Sequence, residues 1–141
     1  MTALAGLLAG RVPLGAYRWP AAPPAYDAAR VARVAERAGW GTARLLARDL
    51  GRADLVTALG AALEVTGLYA HNLDALEERV RALPRRPPVL LVCDDWGRLA
   101  TEHPRSTRSA LRVVSAHDRA PTVVLLLGDG PDLDLPVLGG P

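Results

Sequence analysis

The chain has 141 residues, half of them apolar, which is enough for one domain with a substantial core. No apolar run reaches the roughly 18 residues needed to span a bilayer, and a single cysteine, Cys93, excludes a disulfide framework and a thiolate metal cluster. The formal net charge is +2 with every basic residue an Arg, and no basic patch is interleaved with aromatics, so direct nucleic-acid binding is not expected.

The opening apolar stretch from Met1 to Gly10 lacks a basic n-region and is short for a secretory core, which argues against export. Leu14 to Trp19 reads as a short strand broken by Pro20 and Pro23-Pro24. A helix follows, with Val31, Val34, Ala35 and Ala38 at helical spacing and Gly39 at its carboxyl cap. Thr42 to Leu46 is the next expected strand. Asp54 is expected to cap a helix carrying Leu55, Leu59, Ala62 and Leu63, and Asn72 to cap another carrying Leu73, Leu76, Val80 and Leu83. Val89 to Cys93 is a continuous apolar run, as in a strand buried on both faces. Pro104 suits the first turn of a last helix with Ala110, Leu111 and Val114, which leads to an apolar strand from Thr122 to Leu127. Strands alternating with helices predict an α/β fold with a mainly parallel sheet covered by helices. The Pro/Gly/Asp-rich tail from Asp129 to Pro141 is expected to be poorly ordered.

Charge is unevenly distributed. Residues 64 to 78 carry Glu64, Asp74, Glu77 and Glu78 and no Arg. Asp74, Glu77 and Glu78 stand at i, i+3 and i+4, so their carboxylates gather on a helix side turned away from the Leu73, Leu76 and Val80 stripe. Such a ridge suits the cation-lined active site of an enzyme that holds phosphate. A simpler account has Asp74 offset the helix dipole while Glu77 and Glu78 pair with Arg81 on a solvated face.

The run Tyr69-Ala70-His71-Asn72-Leu73-Asp74-Ala75-Leu76 resembles the signature of the barstar family of ribonuclease inhibitors, in which Asn-Leu-Asp-Ala-Leu opens the inhibitory helix. Asn72 is also the only Asn in the chain. Gly15-Ala16-Tyr17-Arg18-Trp19 and Ala38-Gly39-Trp40 look like the amino-terminal extension of actinobacterial-type relatives, and the similarity runs from about Leu14 to Gly128.

The resemblance implies a single barstar-like domain: a β-α extension over 14–40, a core with three parallel strands over 41–128 and an acidic tail over 129–141. It implies a monomeric cytoplasmic inhibitor that binds a microbial ribonuclease or ribonuclease-like toxin, needs no cofactor, and works through Tyr69, His71, Asn72, Asp74, Glu77 and Glu78. This chain departs from the family pattern in three places. An aromatic usually stands at Glu77, an aspartate at Glu78, and an acid on the last helix, where Ser115 aligns and Asp118 is the nearest acid.

Two other readings remain open at this point. A barstar-like scaffold could serve a partner that is not a ribonuclease, a reading that Glu77 favours. Alternatively, Asp94-Asp95 at the carboxyl end of a strand could hold a divalent metal in an enzyme. Receiver-type chemistry would need a lysine, which the chain lacks, and Asp95 is expected instead to cap the turn from Trp96 to Ala100. His71, His103 and His117 show no metal-type spacing with each other or with Cys93, and they are expected in surface or capping roles. Cys93 is expected to be a buried structural thiol.

Overall fold

The computed structural model describes residues 2–63, 73–115 and 120–139. In chain order the elements are α1 (Thr2–Leu8), β1 (Ala16–Trp19), α2 (Ala28–Arg37), β2 (Gly41–Leu46), α3 (Arg52–Ala62), α4 (Leu73–Arg81), β3 (Val89–Asp94), α5 (Gly97–Glu102), α6 (Pro104–Ser115) and β4 (Thr122–Leu127). The strands form one parallel sheet in the order β1-β4-β3-β2. No described helix is long and apolar enough to cross a membrane.

Burial explains the two runs read as continuous apolar strands. In β3, Leu90 and Val92 face one side of the sheet while Leu91 and Cys93 face the other, and both sets are buried. In β4, Val123, Leu125 and Leu127 divide from Val124 and Leu126 in the same way. Helices therefore cover both faces. Leu4 and Leu7 of α1, with Ala28, Val31 and Ala35 of α2, fill one face. The other is filled from α3 (Leu55, Leu59), α4 (Leu76, Val80), α5 (Leu99) and α6 (Ala110, Leu111, Val114). The layers follow from chain direction. α2 carries the chain from β1 at one edge to β2 at the other, whereas the later connections step back from β2 through β3 to β4. Right-handed crossovers in opposite directions must lie on opposite faces.

Local chemistry sets the helix ends. The Asp27 carboxylate accepts from Arg30 N at 2.8 Å and caps α2. At its far end Gly39 takes φ +88°, Gly39 N donates to Glu36 O, and Trp40 N donates to Ala35 O, the paired bonds of a Schellman ending. The Trp40 indole then donates to Leu8 O at 3.0 Å and ties α1 to this turn. Helix α3 starts earlier than the sequence suggests. Gly51 is its N-cap, and Asp54 sits in the first turn, where its carboxylate accepts from Gly51 N at 3.4 Å rather than capping from outside.

The carboxyl-terminal segment corrects the expectation of poor order. Arg18 N donates to Pro136 O and Leu138 N donates to Arg18 O, so the tail adds a short parallel pairing, Arg18 with Val137, to the outer edge of β1. Leu133, Leu135 and Leu138 are buried beneath it. Arg18 and Arg108 approach Asp132 and Asp134 at 3.7 and 3.1 Å. Both carboxylates are largely solvated, so the apolar contacts and backbone bonds contribute more than the ion pairs.

Candidate partner-binding face

Helix α4 is built mainly from strong helix formers, Leu, Ala, Glu and Arg, without Gly or Pro. Leu76 and Val80, one turn apart, are buried against the shared core, and partly buried Leu73 and Leu83 extend the same stripe. The helix packs on α6 and α3. With that side held, Asp74 and Glu78 are exposed one turn apart, and Glu77 between them is half-buried. Asp74 in the first turn and Arg79 and Arg81 in the last also match the helix dipole.

The ridge is not purely acidic. Arg81 lies at i+7 from Asp74, on the same side, and its guanidinium donates to the Glu77 carboxylate. The simpler account given above thus holds for Glu77. Asp74 and Glu78 make no ion pair among the described residues. Tyr69, His71 and Asn72 lie outside the described residues. On the last helix, Ser115 is buried and its hydroxyl donates to Leu111 O at 2.8 Å, so it presents no polar group at the surface. Asp118 and His117 lie outside the described residues.

A second cluster of carboxylates stands at the carboxyl end of the sheet. Asp27, Asp94, Asp95 and Asp129 line a cleft of about 460 Å³ with Tyr26 and the Pro23-Pro24 loop. The cleft opens where the chain leaves β1 toward one face and β3 toward the other, the usual ligand position in open α/β sheets. Asp95 does not cap the following turn. It takes φ +50°, which Asp tolerates, and its carboxylate accepts from Arg48 at 2.9 Å across the β2–β3 end. Among the described residues no group of three or more His, Cys, Asp or Glu side chains is placed to hold a metal ion. Burial pushes the Cys93 thiol up to about 12, with Asp94 adding to the effect, so the thiolate is not accessible at neutral pH.

Asp94 is also displaced. Burial, then the neighbouring Asp95 charge and more weakly Asp27, raise its pKa above the usual carboxylate range, while Arg44 opposes them. A carboxyl raised by folding holds its proton more tightly in the native state. Its contribution is complete below the unfolded pKa, about 3.9, and is lost as pH rises through the native value. Asp94→Asn is therefore expected to raise Tm at pH 7, with the gain vanishing as pH falls below about 4. Thermal unfolding at both pH values checks this, and a lower Tm for the variant at pH 7 would contradict it.

Sequence reasoning overlooked the long-range partners of the tail and of Asp95. The alternation Asp132-Leu133-Asp134-Leu135 suggests an extended segment but is folded into a turn, with Leu133 and Asp134 at φ +53° and +56° and Leu135 N donating to Asp132 O, and the extended pairing lies beyond it at Val137. The Arg48 to Asp95 pair spans 47 positions and leaves no local trace.

A comparison with curated proteins finds no match to the chain. A comparison with protein-family models matches residues 46–124 to Barstar, described as the barnase inhibitor. The matched segment is more than half of the chain and runs from the end of β2 to the middle of β4, with α4 inside it. It includes the Asn72-Leu73-Asp74-Ala75-Leu76 run and the α/β arrangement around it, and on these grounds the chain belongs to the barstar family.

Proposed function

We propose that this protein inhibits a microbial ribonuclease or ribonuclease-like toxin by seating α4 in the enzyme's cationic active site. The observation that carries this reading is the exposure of Asp74 and Glu78, one turn apart, on a helix whose opposite side is locked by Leu76 and Val80. Such an enzyme binds phosphate with Arg, Lys and His. Two carboxylates held by a packed helix can replace the phosphates at low ordering cost, because the backbone that bears them is already fixed. Tyr69 would supply an aromatic contact from the preceding loop, with His71 and Asn72 beside it. Glu78 is longer than the aspartate usual in the family and loses more rotamer freedom on binding.

In this proposal β2, β3 and β4 are the family's three-stranded core. β1 and α2 are an amino-terminal addition, and residues 129–141 are an acidic tail. The inhibitor acts as a monomer in the cytoplasm of the cell it protects and uses no cofactor. Calorimetric titration against a guanyl-specific microbial ribonuclease tests the binding step. One-to-one binding is expected, with an association rate that falls as salt rises, since the ridge attracts its target through long-range charge. No binding to several such enzymes would overturn it.

A second reading, a barstar-like scaffold that grips a different protein, is favoured by one feature. Where the family usually has an aromatic, Glu77 is engaged by Arg81, so the centre of the ridge is neutralised and lacks an apolar anchor.

A further inference from the structure

The two edges of the sheet are treated differently. At the β1 edge, the Arg18 peptide group faces outward and bonds to the docked tail through Pro136 O and Leu138 N, while the Arg18 guanidinium approaches Asp132 of the same segment. At the β2 edge, Gly41 N and Ala47 N donate inward to Pro88 O and Asp94 O. Strand alternation then turns the peptide groups of Thr42, Arg44 and Leu46 outward. Among the described residues nothing pairs with them, and β2 is the last strand of the sheet. Leu46 is 57% exposed, one of the two large hydrophobics so exposed among the described residues. Arg44 is exposed and makes no hydrogen bond or ion pair among the described residues.

We infer that the β2 edge is a second interaction surface, which takes an extended acidic and apolar segment of a partner protein as an added strand. The molecule already shows this mode of recognition at its other edge, where the outward peptide of Arg18 bonds to the extended Pro136-Val137-Leu138 segment and its guanidinium approaches Asp132 in the turn before it. Backbone bonds to Thr42, Arg44 and Leu46 would hold the strand, and exposed Leu46 would take an apolar side chain. Arg44 selects acidic character in the occupant. The same charge disfavours a second copy of this chain, because overlap of two β2 edges centred on the outward residues sets Arg44 against Arg44. This surface is separate from α4 and does not depend on the inhibitor reading.

The test uses the full chain and a soluble acetylated heptapeptide, Thr-Leu-Thr-Asp-Thr-Leu-Thr, in which Asp and Leu share one face as Arg44 and Leu46 do, followed by amide hydrogen exchange. Saturating peptide is expected to slow exchange at Thr42, Arg44 and Leu46 by about tenfold or more, and to leave Ala43 and Leu45, already bonded to β3, unchanged. Arg44→Glu should abolish the effect and transfer it to the same peptide with Lys in place of Asp, which also shows that the variant is folded. Absence of protection at millimolar peptide would overturn the inference, as would equal protection by the peptide with Asn in place of Asp. Protection that rises with protein concentration alone would assign the edge to a second copy and overturn it as well.

Discussion

Replacing Asp74 and Glu78 together with Ala is expected to weaken binding to a target ribonuclease by at least about a hundredfold while leaving the fold intact. A hydrogen-bonded charge pair buried at an interface costs about 2–5 kcal/mol when one partner is removed, because the other charge is left desolvated and unpaired. Two such losses are not strictly additive, since both carboxylates would meet the same cationic site. Stability should change little. Both side chains are exposed and neither is paired among the described residues, so the main loss is the dipole contribution of Asp74, about 0.3–1 kcal/mol. Calorimetry on the variant, with unfolding by denaturant as the control, separates the two effects. Unchanged affinity in a folded double variant would remove α4 from the mechanism.

The largest effect on stability is expected at Trp96. Its indole is 2% exposed in the turn between β3 and α5, and its N–H donates to Leu127 O at 3.0 Å, joining the ends of β3 and β4. Gly130 lies flat against the ring: a Cβ at that position would stand 2.3 Å from the indole Cη2, so the glycine is there to let the tail pass close. Trp96→Ala removes a large ring from a filled site and is expected to cost about 3–5 kcal/mol, a large share of a small domain's stability. Trp96→Phe keeps most of the packing and loses the donor, so a cost of about 1–3 kcal/mol is expected. Denaturant unfolding measures both. A loss below about 1 kcal/mol for Trp96→Ala would show that Trp96 does not secure the strand ends and the tail.

Sequence patterns reported local structure well and long-range partners poorly. Strands β3 and β4 were readable because burial on two faces demands unbroken apolar runs, and α2 because its apolar period and Gly39 agree on its carboxyl end. The ridge on α4 was readable because i, i+3 and i+4 spacing is a property of any helix. Its partial neutralisation by Arg81 was foreseeable from the same spacing, but which of Glu77 and Glu78 takes the Arg depends on rotamers. Asp54 and Asp95 were misplaced for a related reason. An Asp suits a cap, a first turn or a left-handed turn nearly equally, and the choice at these two was settled by Gly51 and by Arg48. The tail looked unstructured because Pro and Gly dominate its composition. Its three buried leucines find their places only in the assembled fold, Leu133 and Leu135 in the core on the α6 face and Leu138 in the core on the α1 and α2 face.

The most direct test of the inhibitor assignment is RNA cleavage by a guanyl-specific microbial ribonuclease, followed at about physiological ionic strength while the purified protein is titrated in. Activity should fall linearly and reach zero at one equivalent, as occlusion of the active site requires. Full cleavage in the presence of excess protein, across several such enzymes or despite measurable binding, would contradict it and leave the repurposed scaffold as the better account.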